Sequence, residues 1–99
     1  MARGMTVNGV SCTLVPTEGV GVAIMVTTSR LLPRDAWRRL VNNHFGADCR
    51  RTVLRIYEDR VNLTLRLQTA EGTTWRENAK EVISKIPLFL KVVGDIEAA

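Results

Sequence analysis

Residues 50–68 read RRTVLRIYEDRVNLTLRLQ, and this stretch decides the predicted fold. On both sides of the polar triplet at 58–60, apolar side chains recur at every second position. That period is typical of strands that bury one face. The stretch therefore predicts a β-hairpin with an even-numbered loop centred on Asp59-Arg60. The predicted cross-strand pairs are Ile56 with Leu63, Leu54 with Leu65, and Thr52 with Leu67.

The other face of this hairpin is predicted to point away from the core and to be basic. Its residues are Arg51, Arg55, Tyr57, Asn62, Thr64, Arg66 and Gln68. Three arginines and one aromatic ring on an exposed sheet face are typical of surfaces that contact phosphates and stack on bases. An ordinary solvated sheet face with long polar side chains is the structural alternative.

Residues 6–28 predict an earlier hairpin with an odd-numbered loop. Val10, Cys12 and Leu14 match the inward set Val20, Val22, Ile24 and Val26. The loop is predicted at Thr17-Glu18-Gly19, because its third residue must adopt a left-handed conformation and glycine does so readily. The outward face is small and uncharged, and we expect the C-terminal tail or a second subunit to cover it. Its members are Ser11, Thr13, Val15, Gly21, Ala23, Met25 and Thr27.

A helical pattern follows each hairpin, over residues 33–45 and 74–86. The first has the apolar stripe Pro33, Trp37, Leu40, Val41 and His44, with Arg34, Arg38 and Asn42 facing water. The second starts with a capping box from Thr74 to Glu77 and has the stripe Trp75, Ala79, Val82, Ile83 and Ile86. Pro87 is expected to end or kink this helix. For the tail at 87–99 the sequence is compatible with either a short strand, residues 88–93, or a further helix.

These elements predict one α+β domain over residues 1–99. It has two layers: a four-stranded antiparallel sheet, with two helices on its apolar face. The order is ββαββα plus a short C-terminal strand or helix. With 45% apolar and 24% charged residues, the chain has the composition of an ordinary globular domain.

The positive charge is concentrated in the middle of the chain. Residues 30–66 contain nine arginines and four acidic residues, a net +5, whereas the whole chain carries +4. Such an excess favours an anionic partner: nucleic acid, an acidic protein or a membrane surface. No leader-like apolar segment follows Arg3, and no apolar run approaches the roughly 20 residues that cross a bilayer. We therefore expect a cytoplasmic protein that does not insert into a membrane.

Residues able to do chemistry are few. His44 and Cys49 could form an imidazole–thiolate pair, but no motif orients the base or provides an oxyanion hole. Cys12 and Cys49 fit no metal-ligand spacing, and no glycine-rich loop precedes a helix. The sequence thus predicts a protein without catalytic residues, metal or cofactor.

A binding function remains. The first hypothesis is nucleic-acid binding through the basic sheet face and the adjoining helix. The predicted binding residues are Arg51, Arg55, Tyr57 and Arg66 on the hairpin, with Arg34 and Arg38 on the first helix. The alternative is a protein-interaction module, such as an adaptor, inhibitor or assembly subunit, that acts as a homodimer through its uncharged hairpin face or apolar tail.

Overall fold

The structure is a computed structural model that describes residues 3–15, 21–28, 32–47, 49–67 and 75–99. Its elements, in chain order, are β1 (Arg3–Val7), β2 (Val10–Val15), β3 (Gly21–Thr27), α1 (Arg34–Phe45), β4 (Cys49–Ile56), β5 (Val61–Leu67) and α2 (Trp75–Ala98). The five strands form one antiparallel sheet in the order β1-β2-β3-β5-β4.

Both helices pack on the same face of this sheet. Inward residues of the strands and the buried residues of α1 and α2 form a single apolar cluster. Its largest fully buried side chains include Trp37, Phe45, Phe89, Ile24 and Leu65. The predicted α+β class with an antiparallel sheet is confirmed, but the prediction of four strands is wrong. Neither helix in the described part of the chain is long and apolar enough to cross a membrane.

The additional strand is β1, which pairs with β2 through a two-residue turn. Asn8 and Gly9, the turn residues, both have positive φ angles, 54° and 80°. This is the conformation of a type I′ turn, for which Asn-Gly is the strongest short sequence signal. The signal stands in the sequence between Val7 and Val10, but the sequence prediction did not use it.

The second predicted hairpin forms as β4 and β5, in a register shifted by two residues. Ile56 pairs with Val61, Leu54 with Leu63 and Thr52 with Leu65. The loop is only Glu58-Asp59, because Tyr57 N donates a hydrogen bond to Arg60 O at 2.8 Å. A shift of two keeps every side chain on its predicted face, so the faces are correct although the predicted pairs are wrong.

In the first predicted hairpin, β2 and β3 also keep the predicted faces. Cys12 pairs with Val26 and Leu14 with Ile24, so the inward sets of both strands meet on the helix side of the sheet. The predicted loop at 17–19 lies outside the described residues.

The predicted first helix is present, but its apolar stripe differs from the prediction: Pro33 precedes the helix and is exposed, and Phe45 belongs to the stripe. Trp37, Leu40, Val41 and Phe45 are buried, whereas His44 is only half-buried. The ring of His44 packs edge-on against that of Phe89, with centroids 5.6 Å apart.

Helix α2 continues through Pro87 to Ala98, so the tail is helical and the predicted end at 86 is wrong. The apolar spacing continues past Pro87, where Phe89, Leu90 and Val93 are fully buried. Proline has no N–H group, so the backbone carbonyl one turn before Pro87 receives no helical hydrogen bond. Pro87 itself is exposed, so water can solvate that carbonyl. Packing therefore outweighs the local cost of the proline. The tail is part of the helix layer and does not cover the outward face of β2 and β3.

Candidate nucleic-acid interface

Three arginines lie together on the outward face of the β4–β5 hairpin, which faces away from the helices. Arg51 stands directly opposite Arg66, and Arg55 stands opposite Asn62. Arg51 and Arg55 are exposed, and Arg66 is half-buried. We refer to Arg51, Arg55 and Arg66 as the arginine patch.

A glycine lies beside Arg66 on the next strand. Gly21 of β3 is its register partner on the other side, and a Cβ built there would lie 3.7 Å from Arg66 Cδ. The same Cβ would lie 3.0 Å from the carbonyl oxygen of Leu65, which is tighter than ordinary contacts. The aliphatic stem of Arg66 therefore packs across β3 at a position where a side chain would crowd the sheet.

A β-bulge in β4 sets the direction of Arg51. Cys49 pairs with Leu67 and Arg51 with Arg66, so Arg50 is the extra residue. In a regular strand Cys49 and Arg51 would point to the same face. The bulge instead keeps Cys49 in the core and Arg51 outside. Without the bulge, one of these two side chains would be on the wrong side of the sheet.

Tyr57 lies at the turn end of the same face, partly covered by a fourth arginine. The guanidinium carbon of Arg60 lies 4.4 Å from the centroid of the Tyr57 ring. Arg60 also forms a 2.9 Å ion pair with Asp59, while 40% of Tyr57 is exposed. Sequence reasoning missed Arg60 because it placed this residue within the loop. The two-residue turn instead puts it opposite Tyr57 on the outward face.

The two arginines that were predicted on α1 lie in the helix layer. Arg34 and Arg38 are both exposed. Arg34 Nη2 donates a hydrogen bond of 3.4 Å to the carbonyl oxygen of Leu54. This contact spans from the helix to β4, the edge strand. The structure thus groups the hairpin residues on one face and separates them from the α1 pair.

The electrostatics of the patch favour an anion. Like charges directly opposite each other in a sheet are destabilising, and Arg51 faces Arg66 in this way. Within the described strands, no aspartate or glutamate lies on the outward face. Glu58 and Asp59, which follow Arg55 in the sequence, are in the turn. A phosphate held between the guanidinium groups would form charge-assisted hydrogen bonds with both of them.

The other chemically reactive residues are placed for packing. Burial raises the pKa of Cys12 to about 11, so its thiol stays protonated and is a weak nucleophile at neutral pH. Cys49 is buried at the start of β4, and His44 packs on Phe89. Within the described ranges, no three His, Cys, Asp or Glu side chains are grouped so that they could hold a metal ion.

Comparison with known proteins finds no protein-family model, no curated protein and no solved structure that matches this chain.

Proposed function

We propose that this protein is a small non-enzymatic protein that binds nucleic acid through the arginine patch. The observation that carries the proposal is the placement of Arg51 directly opposite Arg66, with Arg55 four residues farther along β4 on the same face. Contacts of this kind go to phosphate oxygens and carry little sequence information. We therefore expect binding that depends strongly on salt and weakly on sequence.

The composition of the patch favours a polyanionic backbone over a folded acidic partner. Apart from its arginines, this face of the hairpin carries Val53, Thr64 and Asn62, which are half-buried, and a single exposed aromatic ring, Tyr57, at its turn end. Protein interfaces generally rely on a buried aromatic or aliphatic group for most of their affinity. A phosphate backbone requires only regularly spaced charge.

The test is a titration of labelled single- and double-stranded oligonucleotides at several salt concentrations, followed by fluorescence anisotropy. The variant Arg51→Gln/Arg55→Gln removes two exposed charges from the patch and leaves the inward faces unchanged. For duplex DNA the slope of log affinity against log salt should become shallower by about 1.8, and for single strands by about 1.4. Arg66 is left intact because its stem packs across Gly21.

The matched control is Arg39→Gln/Lys80→Gln. Arg39 on α1 and Lys80 on α2 are both exposed, and both belong to the helix layer on the other side of the sheet. This double variant has the same net charge as the patch variant. Equal losses of affinity in the two variants would show that net charge, not the patch, drives binding. No measurable affinity of the unaltered protein at low salt would refute the proposal.

Tyr57 gives a second, independent measurement. Its ring is partly exposed at one end of the patch, and Arg60 covers only one side of it. If a base stacks on the ring, Tyr57→Ala should weaken single-strand binding by about 1–3 kcal/mol and leave duplex binding unchanged. An equal loss for both substrates would contradict stacking.

A protein-interaction module acting as a homodimer is the second candidate. Outside the patch, the outward face is uncharged over β2 and β3, and Val15 at its border is 42% exposed. However, this face also carries the half-buried hydroxyl residues Ser11 and Thr13, so water can solvate it. A more specific route to self-association lies at the edge of the sheet.

A further inference from the structure

The sheet has two edge strands, β1 and β4, and only β4 shows features that block further pairing. The bulge at Arg50 interrupts the β4 ladder, and Arg34 donates a hydrogen bond to the Leu54 carbonyl. Bulges and charged side chains are the usual means by which proteins protect an exposed edge. β1 is a regular five-residue strand, RGMTV, and none of the described residues pairs with its outer side.

The turn geometry identifies the backbone groups that β1 presents. A two-residue hairpin loop is flanked by a hydrogen-bonded pair, as the Tyr57–Arg60 bond shows for the other such turn. For the Asn8-Gly9 turn this pair is Val7 and Val10. Because the direction of the backbone groups alternates, the N–H and C=O groups of Gly4 and Thr6 point to the open side.

This edge is held in place by α2. Asn8 Nδ2 donates hydrogen bonds to the Lys91 carbonyl at 3.0 Å and to Asp95 Oδ1 at 2.9 Å. Gly94 lies against the same turn, since a Cβ there would be 2.6 Å from Asn8 O. A terminal strand usually frays unless it is tied down. Here the far end of β1 is attached to the helix, so the open edge is preorganised for pairing.

We propose that β1 pairs with β1 of a second copy, in an antiparallel arrangement about a twofold axis at Met5. Gly4 then pairs with Thr6 of the partner subunit, and Thr6 with Gly4 of the partner subunit. Each of these two pairs exchanges two backbone hydrogen bonds. The two five-stranded sheets thereby join into one ten-stranded antiparallel sheet.

The side chains of β1 suit a second copy in this register. Met5 is half-buried at the border of the core, and its pair across the axis is the close, non-hydrogen-bonded kind, so the two thioethers contact each other. Gly4 has no side chain to block the approach. Arg3 would stand opposite Val7 of the partner subunit, so no two charges oppose each other. The same symmetry at Val53 of β4 would set Arg51 against an arginine at position 55.

The first test is sedimentation equilibrium over a wide range of protein concentration, without nucleic acid. The unaltered protein should show a reversible monomer–dimer equilibrium. Thr6→Pro removes an N–H that points to the open edge and leaves the β1–β2 ladder intact. Because each dimer loses two hydrogen bonds, dissociation should become about tenfold to hundredfold easier. Thr6→Val is the control: like proline, it loses the 3.0 Å bond between the Thr6 and Ser11 hydroxyls, but it keeps the N–H.

The second test fixes the register by crosslinking. In Met5→Cys the two new thiols face each other across the axis, with Cα atoms about 4.5 Å apart, within reach of a disulfide. In Gly4→Cys the new thiols are offset along the strands, roughly 8 Å apart, beyond that reach. With oxidised glutathione as the oxidant, Met5→Cys should form a covalent dimer much faster than Gly4→Cys. Both cysteine variants are made in a Cys12→Ala background, because Cys12 pairs with residue 5 across β1 and β2 of the same chain and would compete for the new thiol. Cys49 is buried.

The pairing holds whether or not the protein binds nucleic acid, so this proposal and the previous one fail separately. A monomer at every concentration, together with equal crosslinking of the two cysteine variants, would overturn it. A dimer that Thr6→Pro does not weaken and that Met5→Cys does not crosslink would assign self-association to another surface, such as the outward face of β2 and β3.

Discussion

Asn8 offers the sharpest test of the structure, because its backbone and its side chain have separate roles. Its φ of 54° is in the left-handed region, which asparagine and glycine tolerate and alanine disfavours. Its amide joins the β1–β2 turn to α2 through Lys91 and Asp95. Substitution by glycine removes the side-chain bonds and keeps the conformational freedom, whereas alanine removes both.

The expected magnitudes follow from these two roles. The two hydrogen bonds are exposed, and each should contribute about 0.5 kcal/mol, so Asn8→Gly should lower the free energy of unfolding by about 1 kcal/mol. The left-handed backbone costs a further 1–2 kcal/mol or so for a residue with a Cβ, partly offset by the lower chain entropy of alanine. Asn8→Ala should therefore lose about 2 kcal/mol in total.

Urea denaturation followed by circular dichroism measures both variants, with comparison at constant m-value. The order of stability should be wild type, then glycine, then alanine. Equal stability of the two variants would mean that residue 8 has an ordinary strand backbone, and the two-residue turn would then be wrong. If Asn8→Gly leaves the free energy of unfolding unchanged, the side-chain amide of Asn8 does not attach the turn to α2.

Two further predictions concern the core. Leu65 is fully buried in β5 between β3 and β4, so Leu65→Ala should lower the free energy of unfolding by about 2–5 kcal/mol. The control is its outward neighbour: Thr64→Ala should lower the free energy of unfolding by less than about 1 kcal/mol. Similar losses in the two variants would mean that the faces of β5 are misassigned. Because burial raises the pKa of Cys12 from 9.0 to about 11, the native state holds this proton more tightly than the unfolded state between those values. The corresponding stability is complete below pH 9 and declines as the pH rises toward 11. Denaturation at several pH values should show this extra decline in the wild type and not in Cys12→Ala; the same slope in both proteins would place the thiol in contact with water.

The buried face of each strand was predictable, because successive side chains of a strand alternate between only two faces. A register error of an even number of residues leaves each side chain on the same face of the sheet. The error of two residues therefore changed the cross-strand partners of Ile56, Leu54 and Leu63 but not the face to which they point. The loop length was not predictable from alternation alone. It depended on whether Glu58-Asp59 could form the whole turn, and this is decided by the Tyr57–Arg60 hydrogen bond.

Two other differences have separate causes, one in long-range packing and one in a short local signal. Pro87 predicts the end of a helix when only local chemistry is considered, but the burial of Phe89, Leu90 and Val93 maintains α2 beyond it. β1 begins near the start of the sequence, and its short stretch of alternation is inconspicuous. Only the Asn-Gly pair at 8–9 marks the turn that precedes β2.

The arginines admit two physical explanations, and their positions in the sheet distinguish them. Edge protection accounts for a charged β4, since a charged, bulged edge resists pairing with other chains. It does not account for Arg66, because β5 lies between β3 and β4 and has no free edge to protect. Arg66 also lies opposite Arg51 on the outward face. The patch therefore includes a charge that edge protection does not explain, and an anionic ligand that spans Arg51 and Arg66 would contact it.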